Sequence, residues 1–294
     1  MKAEYHLENK VMVITGATSG LGFATAKDLA AKGATLIGVG RSAERCHAAE
    51  QAIRHTIPDA NIEYFLADLS SQRQVRELAE KIHKSVQKSY GGKIDVLVNN
   101  AAAVANWYTA TEDGYELQFA VNHLAPFLLT FELLPLLKAS LSSRLVTVSS
   151  GSHRHTRMRW ADVMFREGYN IWFAYKQSKV ANVLFSYEFN RRIEKNANIR
   201  AYAADPGLVN TEIGMKGTSG IVRWVWDKRR TGGATPEQGA KTIIFLAADP
   251  TVENSKEVYW KDCQPRPPSK YSQDSQEAAR LWELSERLCG IKFT

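Results

Sequence analysis

The stretch VMVITGATSGLG, residues 11–22, joins an apolar run to glycines at 16, 20 and 22, with a helical pattern from Leu21 onward. Glycine is needed where a chain turns tightly, where backbone must approach a pyrophosphate, and where a helix packs closely on a strand. A helix beginning at such a loop also presents oriented N–H groups and a partial positive charge to an anion. The plain alternative is a glycine-rich turn with no ligand. Placement between a strand and a helix, at the head of an alternating pattern, favours the phosphate loop.

Working outward, strand-like runs recur at Val11–Thr15, Ala34–Val39, Ile62–Leu66, Val96–Val98, Leu145–Ser149 and Arg200–Ala204, each leading into a segment of helical period. Continuous apolar strands separated by helices imply a parallel sheet covered on both faces. Right-handed crossovers then give a doubly wound α/β fold, with ligands beyond the carboxyl ends of the strands. The 294 residues are read as one domain over 1–294, with a candidate substrate lid at about 212–236 and a C-terminal extension at 265–294. Two connections exceed the usual length, Gly151 to Trp172 and Glu212 to Pro236. The most apolar window, Leu124 to Leu141, is broken by Pro126, Glu132, Pro135 and Lys138, and reads as a buried helix rather than a membrane span.

The net charge of +7 comes from 38 basic residues scattered among 31 acidic ones, without a dense aromatic-basic binding motif, so a nucleic-acid partner is not expected. Cys46, Cys263 and Cys289 form no C-x-x-C pair and no metal-ligand spacing, which suits free thiols in a reducing compartment. No metal is expected. The opening MKAEYHLENK has no apolar targeting core, and the expectation is a soluble, cytoplasmic protein with no integral membrane segment.

An acidic residue about twenty positions after the glycines would hold the adenosine ribose of NAD. Here the second strand ends in VGRS, Val39 to Ser42, and the first carboxylate, Glu44, lies inside the next helix. A guanidinium and a hydroxyl suit a 2′-phosphate, so NADP(H) is expected over NAD(H), with Arg41 as the main contact and Ser42 in support. The alternative leaves Arg41 capping the strand edge in solvent. On residues alone, Asp68 in ADLS is a helix N-cap for the segment beginning at Ser70, Asn99 and Asn100 are turn residues, and Pro206-Gly207 is a turn.

AYKQSKVANVLF, residues 174–185, puts Tyr175 and Lys179 on one helical face while Lys176 points elsewhere. Reducing a carbonyl leaves an alkoxide that needs an acid within hydrogen-bond reach, and an ammonium near a phenol favours the phenolate needed for the reverse. The pair follows the fifth strand, whose end carries Ser149 and Ser150.

Together the G-x-x-x-G-x-G loop, NNAA at 99–102, Y-x-x-x-K and DPGLVNT at 205–211 resemble the short-chain dehydrogenase/reductase superfamily over nearly the whole chain. That resemblance implies a tetrad of Asn122, Ser150, Tyr175 and Lys179. In it Tyr175 moves the proton, Ser150 bonds the carbonyl oxygen, Lys179 holds the ribose and depresses the tyrosine pKa, and Asn122 holds a water. Ser149 is the other serine candidate; Ser150 is preferred because it lies 25 residues before the tyrosine. The implied cofactor contacts are Gly16, Thr18, Ser19, Gly20, Leu21, Gly22, Asp68, Leu69, Asn99-Asn100-Ala101, Pro206, Gly207, Val209 and Thr211, with Ala102 where the superfamily has glycine. VNHLAPFLLT, VSSGSHR and LWELSERL are similar to the retinol dehydrogenase and WW-domain oxidoreductase branch, which implies a lipophilic alcohol or aldehyde substrate and a homodimer or homotetramer. That branch's membrane anchor and WW domains are not seen in the sequence, and no cysteine matches those of the related protochlorophyllide reductases. Trp224 and Trp226 beside a basic run over 221–230 suit a packed surface helix, a substrate lid or a membrane-docking segment. His153, His155 and Arg157 are read as rim residues. An NADPH-binding scaffold or redox sensor with little turnover is the competing function.

Overall fold

A computed structural model describes residues 6–193, 198–210, 232–253 and 255–293. Eight strands form one sheet: β1 (Val11–Thr15), β2 (Thr35–Gly40), β3 (Ile62–Leu66), β4 (Val96–Asn99), β5 (Ser143–Val148), β6 (Ile199–Asp205), β7 (Tyr259–Lys261) and β8 (Gln264–Pro265). Their order is β3-β2-β1-β4-β5-β6-β7-β8. Pairings are parallel throughout except β7 with β8. The order reverses between β1 and β4, which is where a doubly wound sheet leaves a crevice at its carboxyl edge.

Alternation along the strands divides the core in two, because successive side chains leave opposite faces. Val11, Val13, Ile37, Leu97 and Leu145 point into one apolar cluster, and Met12, Ile14, Leu36, Val98 and Val146 into the other. The helices are α1 (Gly20–Ala31), α2 (Ala43–Thr56), α3 (Gln72–Ser89), α4 (Leu117–Phe119), α5 (Ala125–Glu132), α6 (Leu134–Lys138), α7 (Ile171–Ile193), α8 (Pro236–Ala248) and α9 (Ser275–Cys289). Side chains from α1, α2 and α8 join the second cluster, and those from α3, α4, α5, α6, α7 and α9 the first. The apolar window at 124–141 is mostly buried helix, as expected, divided at Leu133 with Pro135 in the first turn of α6; the helix ends at Lys138, and Leu141 is exposed. Among the described residues no helix is long and apolar enough to cross a membrane.

Within 265–294, expected as a C-terminal extension, α9 packs into the core. Leu281 and Trp282 of α9 are buried in the first cluster. Gln72 and Arg76 donate to the carbonyls of Leu288 and Cys289 at 3.1 and 2.6 Å. The final hairpin gave no readable signal, since the turn residues Asp262 and Cys263 both have positive φ, at 53° and 56°, without the glycine that marks such turns. Most of the lid segment, with Trp224 and Trp226, lies outside the described residues.

Candidate active site

A cleft of about 1120 Å³ runs along the carboxyl edge of the sheet. Its walls are the loops leaving β1, β2, β3, β4, β5 and β6, together with Lys261 at the end of β7. One end is the glycine loop. Gly16 takes φ +67° and Gly20 φ +55°, values that disfavour a side chain. A Cβ on Gly22 would collide with the Gly16 carbonyl and with the Asn100 side chain. That side chain holds the loop in shape: Asn100 Nδ2 donates to Thr15 O at 2.8 Å, and Thr15 Oγ1 accepts from the N–H groups of Asn100 and Ala101 at 3.0 Å each. With no acidic residue in the first turn of α1, its N-terminal amides suit an anion.

Thr18, Ser19, Leu21, Arg41, Ser42, Asp68, Leu69 and Ala101 line this same end. Among the described residues Arg41 has no carboxylate within ion-pair distance. A second guanidinium, Arg45, which the sequence reading passed over, also lines the cleft one helical turn into α2. Its backbone N–H is capped by Ser42 Oγ at 3.3 Å. The cap expected of Asp68 belongs instead to Ser71, whose hydroxyl accepts from Gln74 N at 3.2 Å. Asp68 folds back on Ser70, accepting from its N–H and hydroxyl at 2.9 and 2.8 Å. Asn99 turns under the sheet, donating to Thr130 Oγ1 at 3.2 Å, so its side chain does not line the cleft. Strand alternation explains this, because the neighbour of a cleft-facing residue must face away.

At the other end stand Ser150, Tyr175 and Lys179, with Pro206, Gly207 and Val209 opposite. Thr211 lies outside the described residues. Both serines border the cleft, and their partners separate them: Ser149 is buried and donates to Lys179 O at 2.9 Å, whereas Ser150 is half-buried and hydrogen-bonded to the Tyr175 hydroxyl. Lys179 sits 5.5 Å from the Tyr175 ring centroid and donates from Nζ to Val148 O at 3.0 Å. Asn122 occupies the π-helical turn Ala120–Leu124. Its amide oxygen accepts from Ala103 N at 2.7 Å, and its nitrogen donates to Ala103 O and Ser178 Oγ at 3.1 and 3.0 Å. That side chain therefore ties the 101–105 loop to α7.

Three placements differ from the sequence expectations. Lys176 shares the cleft wall with Tyr175, its Nζ 5.5 Å from the Phe173 ring centroid, because the early turns of α7 run along the cleft mouth. His153 is fully buried rather than at the rim; Nδ1 bonds Ser150 O at 2.8 Å and Nε2 accepts from Ser269 N at 3.2 Å. The tyrosine's acidity also differs. Burial pushes the Tyr175 phenol up to about 12, the Asp205 carboxylate adds to this, and the Ser150 hydrogen bond works against it. Burial draws the Lys179 ammonium down to about 8, with Asp205 opposing. The depression that the resemblance implies is thus not produced by these protein groups together.

Asp205 was missed as a site residue. It ends β6 almost wholly buried, lines the cleft, and accepts from Tyr259 OH at 2.6 Å and Gly207 N at 3.0 Å. The only signal was its place before Pro206-Gly207, which reads equally well as a turn. Among the described residues no cluster of His, Cys, Asp and Glu could hold a metal ion.

Residues 10–221 match the family described as short chain dehydrogenase. The chain is 36% identical to mouse (Mus musculus) retinol dehydrogenase 14 over 303 residues, covering 97% of this chain and 87% of that protein. It is 34% identical to human (Homo sapiens) retinol dehydrogenase 11 over 290 residues, covering 97% and 87%. An uncharacterised protein from Mycobacterium paratuberculosis superposes with a TM-score of 0.77 at 32% identity, covering 98% of this chain and 96% of that one. A short chain dehydrogenase from Escherichia coli CFT073, solved with NADPH, gives a TM-score of 0.68 at 23% identity over 90% and 100%, a likeness of fold.

Proposed function

This chain belongs to the short-chain dehydrogenase family, and we propose that it moves a hydride between NADP(H) and the carbonyl or alcohol carbon of a lipophilic substrate, with Tyr175 handling the proton. The observation that carries this reading is the convergence of Ser150, Tyr175 and Lys179 on one wall of a cleft whose far end is the glycine loop. The Gly22 cradle, which a single Cβ would fill, fits a dinucleotide pyrophosphate. Arg41 and Arg45 fit a 2′-phosphate better than a bare ribose, since planar donors match phosphate oxygens.

The nicotinamide, when bound, supplies or accepts the hydride. Tyr175 then gives its proton to the alkoxide oxygen in reduction, or takes one from the alcohol in oxidation. Ser150 fixes that oxygen by a hydrogen bond and shares its other bond with Tyr175. Lys179 would hold the nicotinamide ribose, and the positive charge of an oxidised nicotinamide would favour the phenolate that burial and Asp205 disfavour.

The mouth of the cleft supports an apolar substrate. Trp107 is 73% exposed and Leu208 54%, and both line the cleft with Trp172 and Val104. Exposed aromatic and aliphatic groups at one opening mark a binding surface. The three free thiols suit a reducing compartment such as the cytoplasm. A screen of aliphatic, retinoid and steroid aldehydes and alcohols with NADPH and NADH, read by nicotinamide absorbance, tests the proposal. Turnover that prefers NADPH is expected. A protein that binds NADPH tightly yet turns over no carbonyl would favour a scaffold or sensor.

A further inference from the structure

Behind Ser150 the chain closes a ring of buried polar groups. His153 holds Ser150 O at 2.8 Å, and its ring lies 4.8 Å from the Tyr259 ring. Tyr259 donates its hydroxyl to Asp205 Oδ2 at 2.6 Å. That oxygen closes the ring by standing against Gly151, the residue after Ser150; a Cβ there would sit 3.2 Å from it. Of the two acidic residues lining the cleft among the described residues, Asp68 is at the glycine-loop end and Asp205 at the tyrosine end. The titratable and charged groups around this corner are Lys176 and Lys179 from α7, His153, Arg154 and His155 from the turn after β5, and Tyr259 and Lys261 from β7. Arg154 lies 5.6 Å over the Tyr259 ring.

A turn-forming role alone would not need a charge, because asparagine accepts an N–H two residues on equally well. A carboxylate at the cleft wall does more. Its field disfavours a second negative charge on a neighbouring phenol and favours a positive charge on a neighbouring amine. We propose that Asp205, held by Tyr259, is a positioning residue that keeps Tyr175 protonated and thereby sets the pH at which the site changes from proton donor to proton acceptor. Its action on Tyr175 and Lys179 has the required sign in both cases, opposing the phenolate and supporting the ammonium. The inference rests on the reading of Tyr175 as the group that moves the proton.

The test compares the parent, Asp205→Asn and Tyr259→Phe, each checked for a cooperative melt and for NADPH binding. Asparagine keeps an acceptor for Gly207 and a partner for Tyr259 while removing the charge. The readout that needs no substrate is a pH titration of the Tyr175 side chain by NMR of 13Cζ-labelled tyrosine in the NADP⁺ complex, its signal assigned by its loss in Tyr175→Phe. In Asp205→Asn the midpoint is expected to fall by about one pH unit, the lower end of the range for a close charge. In Tyr259→Phe it is expected to rise, because the carboxylate loses a donor that disperses its charge. For any substrate found in the screen, the pH limb of kcat/KM moves in the same directions. A midpoint equal to the parent's in a folded Asp205→Asn overturns the proposal, and if that variant does not fold, an unmoved midpoint in Tyr259→Phe overturns it. Parental turnover in Tyr175→Phe would instead remove the reading beneath it, whereas an inactive Tyr175→Phe with an unmoved Asp205→Asn midpoint removes this inference alone.

Discussion

At the glycine-loop end of the cleft, shape comes mainly from backbone groups and local caps, tied to the end of β4 by Asn100 Nδ2 on Thr15 O. Gly16 N donates to Val39 O at 2.9 Å, Ser42 caps Arg45 three residues on, and Asp68 N donates to Gln74 Oε1 six residues away. At the tyrosine end, buried side chains meet across long stretches. Asp205 pairs with Tyr259 54 residues later, Ser149 with Lys179 30 later, and His153 with Ser269 116 later. The first region offers oriented N–H groups and guanidinium forks, suited to holding a large anion. The second offers ionisable groups with shifted acidities, suited to moving a proton. Binding and chemistry are therefore separable by mutation.

The widest separation is expected from Tyr175→Phe, which should cost about a hundredfold to ten-thousandfold in turnover while NADPH binding stays near the parent's. Equal losses of both would break the division. Next, Arg41→Ala should weaken NADPH by about tenfold to a hundredfold, the range for a hydrogen bond to a charged group, and leave NADH within about twofold. Fluorescence titration with both nucleotides measures this, and a parallel loss for NADH would return Arg41 to a solvent-facing strand edge.

A pH effect comes third. Folding lowers the Lys179 pKa from 10.5 to about 8, so between those values the unfolded chain binds the extra proton and this group makes stability rise with pH. In Lys179→Met that contribution is gone, so the variant's advantage in melting temperature over the parent, largest at or below pH 8, should shrink as pH climbs toward 10.5. A constant difference would contradict the shift. The smallest effect belongs to Ser42→Ala, which removes an exposed cap and should cost about 0.5 kcal/mol in urea unfolding without nucleotide. A larger loss would mean that Ser42 does more than cap α2.

Legibility in the sequence follows the same division. The first six strands were readable because their runs are largely apolar and their connections helical, and the glycine loop because φ and close approach demand glycine at fixed spacing. Tyr175 and Lys179 were readable as an i,i+4 pair. Asp205 and His153 were not, since what makes them part of the site is a partner on β7 or near Ser269, which no local pattern announces. The strand β7 itself is three residues long, too short for a period. The sign of the Tyr175 shift was missed for a related reason: the spacing displays Lys179, while the burial that raises the phenol most, and the Asp205 carboxylate that adds to it, come from the packing of other elements.

The central claim, hydride transfer with Tyr175 as the proton carrier, is met most directly by stopped-flow absorbance of bound NADPH mixed with the best aldehyde from the screen, in the parent and in Tyr175→Phe. Rapid loss of the NADPH signal is expected in the parent, and loss slowed by about a hundredfold or more in a variant that still binds the nucleotide. Equal rates in the two proteins would contradict it.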